Sequence, residues 1–221
     1  MLYLFDIDGT LVDTGGAGMC ALEETGCRIF GGSGPPLDLA GSTDLGIVAS
    51  MHEHFGVTPA PATVAAFFEV YHQRLEWNLA NGGFPGRVLP GVVTVLKALA
   101  LKTGAALGLL TGNTATGAAA KMRHFNLAHF FPVGAYGCDH ADRNRLGPIA
   151  LDRARTHFGR GFSASETLII GDTPKDIACA RAIGARCLAV ATGRFSRAEL
   201  EQHGADHAVT RLDEAIDWLG I

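Results

Sequence analysis

Two aspartates, placed in the string Asp6-Ile-Asp8-Gly-Thr10, are the residues whose types and spacing most directly suggest chemistry. They close an apolar run, Leu2 to Ile7, that reads as a buried strand ending at the Asp8-Gly9 turn. On a straight strand both carboxylates point to one face, and a bend at Gly9 brings the second over the first. One can then attack as a nucleophile while the other exchanges a proton. The carboxyl end of a strand is also where parallel sheets hold their ligands. A bare Asp-Gly pair is usually only a turn, so a catalytic reading requires partners elsewhere in the chain.

Two later segments offer them. Leu109-Leu-Thr-Gly-Asn113 places the Thr111 hydroxyl and the amides of Gly112 and Asn113 at a strand-to-helix junction, an arrangement suited to an anion. Gly171-Asp-Thr-Pro-Lys-Asp176 places Asp172 straight after an apolar strand and Asp176 at the start of the helix that follows. A hard cation such as magnesium takes oxygen ligands and few protein carboxylates, leaving room for water and a phosphate oxygen. Taken singly, Thr111 is an ordinary helix-entry residue and Asp172 and Asp176 ordinary helix-start acids. Their joint occurrence at successive strand ends favours one shared site.

The elements that would position these residues alternate. Ala105 to Leu110, Thr167 to Ile170 and Cys187 to Ala191 repeat the apolar character of the first run, and each leads through a polar turn into a helical segment. That rhythm predicts an α/β fold, a parallel sheet covered by helices. From about Gly15 to Pro85 it stops: a helix from Thr43-Asp44 through Phe55 and a longer one from Pro61 through Asn81 are expected, with no strand. The expected organisation is a core of residues 1–14 and 89–221 with an inserted all-helical cap at 15–88, hinged near 14–16 and 82–90.

Bulk properties narrow the partners. With 18 Lys and Arg against 22 Asp and Glu and a net charge of -4, scattered singly, the chain has no basic stripe for a polynucleotide. Any phosphate must be met by a few directed groups in a pocket. The five cysteines are odd in number and lack a C-x-x-C pair, which predicts buried free thiols in a reducing cytoplasm. No run approaches the roughly 20 apolar residues needed to cross a bilayer, and no basic region precedes a cleavable apolar stretch. A cytoplasmic protein with a small-molecule partner, and neither nucleic acid nor membrane, is the expectation. Nothing in the sequence sets an oligomeric state.

With these residues in view, the chain resembles the haloacid dehalogenase superfamily, and within it the phosphatases with a helical cap between the first and second motifs, phosphoglycolate phosphatases among them. Asp6-Ile-Asp-Gly-Thr-Leu-Val-Asp-Thr14 matches the first motif, Thr111 the second and Gly171-Asp-Thr-Pro-Lys-Asp176 the fourth. The third usually carries a lysine followed by proline, whereas Arg143-Asn-Arg-Leu-Gly-Pro148 puts Arg143 at the matching position, with Arg145 competing. The resemblance implies a Rossmann-like core and magnesium-dependent hydrolysis of a small phosphomonoester, phosphoglycolate-like, through a phospho-aspartyl intermediate. It implies Asp6 as nucleophile, Asp8 as acid and base, and Thr10 fixing the loop at the phosphate. Thr111, Gly112, Asn113 and Arg143 would bind phosphate oxygens; Asp6, the main-chain carbonyl of Asp8 and Asp172 would hold the metal, with Asp176 orienting its shell.

Other members of such a superfamily do other chemistry. Dehalogenases need neither metal nor a second acid, and phosphonate-cleaving relatives need a cap lysine, whereas the lysines here are Lys97, Lys102, Lys121 and Lys175. A sugar-phosphate mutase would carry an arginine where Gly41-Ser-Thr-Asp44 supplies an acid. A catalytically inactive binding protein on the same fold is the alternative from another class, opposed by the intact Asp6, Asp8, Thr111 and Asp172. The remaining conspicuous residues read as structural: His52 and His54 lie on different helix faces, and Cys138-Asp-His-Ala-Asp142 lacks the residues to close a zinc shell. Phe67, Phe68 and Tyr71 read as the packed face of the cap helix, and Arg74 as a surface arginine.

Overall fold

In a computed structural model of residues 1–221, the opening apolar run forms β1 (Leu2–Phe5), with all four residues buried. The chain then passes through β2 (Val12–Asp13) into three helices, α1 (Ala17–Phe30), α2 (Asp44–His54) and α3 (Pro61–Asn81). It returns through β3 (Arg87–Val88), which pairs antiparallel with β2. The insertion is therefore attached by two adjacent strands. Gly15, at φ 65, and Gly16, at φ 101, take the left-handed turn out of β2, a backbone other residues adopt only with strain.

Beyond β3, helices and strands alternate as α4 (Val92–Leu101), β4 (Ala106–Thr111), α5 (Ala115–His124), β5 (Gly134–Tyr136) and α6 (Leu146–Phe158). They continue as β6 (Thr167–Gly171), α7 (Pro174–Ala182), β7 (Arg186–Val190), α8 (Arg197–Gln202), β8 (His207–Val209) and α9 (Ile216–Leu219). Six strands form one sheet in the order β5-β4-β1-β6-β7-β8, every pairing parallel. Counting these strands along the chain gives the doubly wound order 3-2-1-4-5-6, in which the direction of winding reverses beside the first strand. The crevice at that reversal lies between the carboxyl ends of β1, β4 and β6. Phe5 pairs with both Leu109 and Ile170, which sets the segments that follow side by side.

Alternation along the strands fills two cores. Tyr3, Phe5, Leu168 and Ile170 face a 24-residue cluster completed by α4, α5 and the C-terminal turn. Leu2, Leu4 and Ile169 face a 17-residue cluster with α6 and α7. The three inserted helices contribute ten of a third cluster of 11, in which Phe67, Tyr71 and Leu75 of α3 meet Ala17, Ala21 and Leu22 of α1; the eleventh is Ala120 of α5. Phe67 and Tyr71 are packed as their spacing predicts, and Phe68 is partly buried against the same cluster.

Sequence reading located four of these six strands. It missed β5 and β8, three-residue edge strands too short for an apolar run, and the β2–β3 ladder. It also expected the thiols to be buried, whereas only Cys179 and Cys187 are; Cys27 and Cys138 are exposed and Cys20 lies between, all free.

Candidate active site

Asp6 directly follows β1, and its backbone N–H donates to Ile170 O at 2.9 Å, pinning it beside the end of β6. Asp172 follows β6, where the Thr10 hydroxyl donates to its Oδ1 at 3.1 Å. Asp176 sits in the first turn of α7 and accepts from Thr173 N at 3.0 Å and Thr173 Oγ1 at 2.7 Å in a capping box. One carboxylate oxygen from each of Asp6, Asp172 and Asp176 lies within 4.8 Å of the others, and all three residues are buried. Gly9, at φ 77, leaves the room that Asp172 occupies, and Gly171 does the same for Asp176.

Arg143 reaches this cluster from the turn before α6. It pairs with Asp6 at 3.3 Å and with Asp176, donates to the carbonyls of Gly41 and Leu110 at 3.3 and 3.4 Å, and its side chain is 5% exposed. Arg145, the competing candidate, is exposed and remote from the cluster.

Asp8 stands outside that three-acid cluster. Its carboxylate accepts from Asn113 Nδ2 at 2.8 Å and from Lys121 Nζ at 2.6 and 2.8 Å, and its side chain remains 44% exposed. Asn113 in turn donates to Thr111 Oγ1 at 2.9 Å and accepts from Lys121 at 2.6 Å. A cavity of about 300 Å³ opens over these groups, lined by Asp6, Asp8, Asp172, Gly112, Asn113, Lys121 and Arg143 below. Met19, Leu22, Leu39, Ile47 and Tyr71 line it from the inserted segment.

That segment closes directly on the core. Asp44 N donates to Gly112 O at 2.7 Å, and the buried Asp44 carboxylate accepts from Thr114 N, also at 2.7 Å, at the start of α5. The Thr43 hydroxyl donates to Ala141 O at 2.6 Å, and His72 of α3 shares a hydrogen bond of 2.7 Å with Thr114 Oγ1. A Cβ on Gly112 would collide with Ser42 O, so glycine permits this approach.

A family model described as haloacid dehalogenase-like hydrolase matches residues 3–190. The chain belongs to the haloacid dehalogenase-like hydrolases. A phosphoglycolate phosphatase of Pseudomonas syringae pv. syringae is 30% identical over 206 residues, covering 87% of this chain and 70% of the relative. Phosphoglycolate phosphatase 1 of Pseudomonas aeruginosa is 27% identical over 209 residues, with the same coverage of 87% and 70%. Among solved structures, CbbY of Rhodobacter sphaeroides in complex with phosphate superposes with TM-score 0.76 at 22% identity, over 97% of this chain and 95% of that one. A predicted phosphoglycolate phosphatase of Haemophilus somnus 129pt gives 0.72 at 18% identity, over 99% and 97%. At those identities the likeness is one of fold: a Rossmann-like core carrying a helical cap.

In this haloacid dehalogenase-like hydrolase, the sequence-derived residues are not all placed as expected. Asp6, Asp8, Asp172, Gly112, Asn113 and Arg143 border the cavity. Thr10 does not; its hydroxyl is spent on Asp172, so it ties the first loop to the acidic cluster instead of meeting a ligand. Thr111 is fully buried beneath Asn113 and does not line the cavity either. Arg74 is held by two hydrogen bonds to Glu24, at 2.6 and 2.8 Å, outside the cavity. His52 is buried, its Nδ1 bonded to Val48 O at 2.8 Å, and the segment from Cys138 to Asp142 contributes to no metal-type cluster.

Two residues of the site were missed. Lys121 had a signal: it is the first charged residue of α5 after the run Ala115-Thr-Gly-Ala-Ala-Ala, so small that the helix can lie flat on its neighbours and bury it. Asp44 was read as a helix start and as the acid standing where a mutase has arginine, not as a contact to the core.

Burial dominates the electrostatics. It pushes Asp172 up to about 8, with Asp176 and Asp6 adding repulsion. It raises Asp6 as well, against the pull of Arg143, and takes Asp44 up to about 6 despite the Thr114 amide. Burial opposes the charge on Arg143, but Asp176 and Asp6 outweigh it and hold that guanidinium above its usual value. Three clustered carboxylates against one arginine are an excess of negative charge, and an all-oxygen donor set of this kind fits a hard divalent cation.

Proposed function

We propose that the chain is a magnesium-dependent phosphatase that hydrolyses a small phosphomonoester, phosphoglycolate-like, through a phospho-aspartyl intermediate on Asp6. What supports this reading is the convergence of Asp6, Asp8 and Asp172 at the point where the sheet's winding reverses, under a cavity closed by the cap. The proposed division of the chain is a core of 1–14 and 89–221 with a cap of 15–88.

Asp6, the main-chain carbonyl of Asp8 and Asp172 would hold the magnesium, with Asp176 orienting Asp6 and Asp172 through Arg143 and the α7 cap. Bound there, the ion supplies the positive charge that lets a carboxylate approach a phosphate dianion. An Asp6 oxygen forms a bond to phosphorus as the ester oxygen departs and takes a proton from Asp8. The carboxylate left on Asp8 then removes a proton from water, which attacks phosphorus and releases Asp6 and inorganic phosphate. The amides of Gly112 and Asn113, in the loop between β4 and α5, meet the non-bridging oxygens. The 44% exposure of Asp8 gives it access to water.

A cavity of about 300 Å³ is at the small end for ligand sites. A panel of phosphorylated metabolites assayed with magnesium should therefore favour phosphoglycolate and other short esters over nucleotides. Absence of turnover across the whole panel, with magnesium present, would remove the phosphatase reading. Asp44, buried as a cap-to-core hydrogen-bond acceptor where mutases carry arginine, favours hydrolysis over phosphoryl transfer between sugar positions.

The raised acids predict a pH signature. Asp172, Asp6 and Asp44 bind protons more tightly folded than unfolded, so the metal-free protein loses stability as pH climbs from about 4 to about 8. Magnesium competes with the protons of Asp6 and Asp172 and binds better as they leave. Thermal melts should show a midpoint several degrees lower at high pH than at low pH in chelator, and a magnesium-induced rise that grows with pH. A midpoint that climbs with pH in chelator, or ignores magnesium, would contradict the cluster's role.

A further inference from the structure

Lys121 and Arg143 are the two cations lining the cavity, and they are engaged very differently. Arg143 is committed: it pairs with Asp6 and Asp176 and donates to two backbone carbonyls. Three buried carboxylates exceed its single charge, and a divalent ion shared among them only balances the set. A phosphate monoester arrives with nearly two negative charges, and neither of those cations has any to spare.

Lys121 does. Its ammonium lies 2.6 and 2.8 Å from the two Asp8 oxygens and 2.6 Å from Asn113 Oδ1, with the side chain 5% exposed. It stands on α5, which directly follows the loop whose Gly112 and Asn113 line the cavity, so the lysine is fixed relative to that loop by one helix. The start of the cap's α1 closes over it: a Cβ on Gly18 would lie 3.7 Å from Nζ. A compact charge on a four-carbon stem, with three rotatable donors, can turn from Asp8 to a neighbouring oxygen without moving the helix.

Building on the phosphatase reading, we propose that Lys121 binds the non-bridging oxygens of the substrate's phosphoryl group, the part the sequence pattern gives to Arg143, and that Arg143 positions Asp6 and Asp176. On phosphate binding, Nζ exchanges Asp8 for a phosphoryl oxygen. Asp8 is thereby left facing the departing ester oxygen.

The test is titration of inorganic phosphate, by calorimetry in magnesium chloride, into the wild-type protein, Lys121→Met, Lys121→Gln and Lys121→Arg, beside thermal melts and p-nitrophenyl phosphate kinetics. A charge-assisted contact of this kind corresponds to a loss of about 10- to 100-fold in phosphate affinity in the Met and Gln variants, part of it recovered in Arg. Lys121→Gln keeps hydrogen-bonding atoms near Asp8 and Asn113, so it gives the answer if Lys121→Met melts early. Phosphate affinity within about twofold of wild type in folded Lys121→Gln, even with a lowered kcat, would overturn the assignment and leave Lys121 only a support for Asp8. A wild-type protein that neither binds phosphate nor cleaves any ester would remove the phosphatase reading itself, a result distinct from the loss of Lys121 alone.

Discussion

Replacing Asp6 by asparagine is expected to lower turnover of a phosphomonoester by about 10⁴-fold or more while leaving the fold intact. The amide is nearly isosteric, and the backbone N–H of residue 6 still donates to Ile170 O, so the end of β1 stays where it is. What disappears is the oxygen nucleophile. A buried carboxylate beside Asp172 and Asp176 is also an electrostatic burden, since burial and the neighbouring Asp176 and Asp8 all raise it. The metal-free variant should accordingly melt no lower than the wild type at high pH. Kinetics with p-nitrophenyl phosphate and thermal melts on the same sample check both halves. Turnover within tenfold of wild type would remove Asp6 from the mechanism.

The second large effect falls on stability. Arg143→Met should cost about 3–5 kcal/mol, because it strips the cation from two buried carboxylates and leaves Gly41 O and Leu110 O without that donor. For a chain of this length that corresponds to a fall of roughly 6–20 °C in the melting midpoint. The side chain is 5% exposed, so water cannot easily replace the guanidinium. Arg145→Met, at an exposed position, serves as the control and should shift the midpoint little. Because the destabilisation comes from unpaired negative charge, it should be smaller below pH 6, where protons neutralise the raised acids, and smaller again in magnesium. Equal midpoints for Arg143→Met and wild type in chelator at pH 8 would show that the buried pair carries no such weight.

The parts of this architecture that were legible in the sequence are those encoded locally. The run from Leu2 to Ile7 reads as a buried strand because a central parallel strand is apolar on both faces, and its sheet neighbours share that property. Asp6, Asp8 and Asp172 are recognisable because a turn must follow each strand and the acids stand in those turns. The edge strands β5 and β8 were not legible: Gly134-Ala-Tyr136 and His207-Ala-Val209 are too short to carry a period and owe their conformation to the neighbours they pair with.

The same boundary between local and long-range information runs through the site. Thr10 and Thr111 are in the right motifs, yet the Thr10 hydroxyl donates to Asp172, far along the chain, and Thr111 Oγ1 accepts from Asn113, whose side chain is in turn held by Lys121. Lys121 became visible only when α5 was laid against the end of β1, over a hundred positions away in sequence, and Asp44 only when the cap was closed on Thr114. The acids were legible as chemistry. Lys121 and the cap contact through Asp44 were not.

The central claim is that Asp6 carries the phosphoryl group. Acid quenching during turnover of p-nitrophenyl phosphate, followed by peptide mass analysis with and without borohydride, tests it most directly. The peptide containing Asp6 should gain the mass of one phosphoryl group, and borohydride should convert that residue to homoserine. A phosphoryl group on another side chain, or none on any peptide while turnover proceeds at a rate limited by breakdown of the intermediate, would contradict the account.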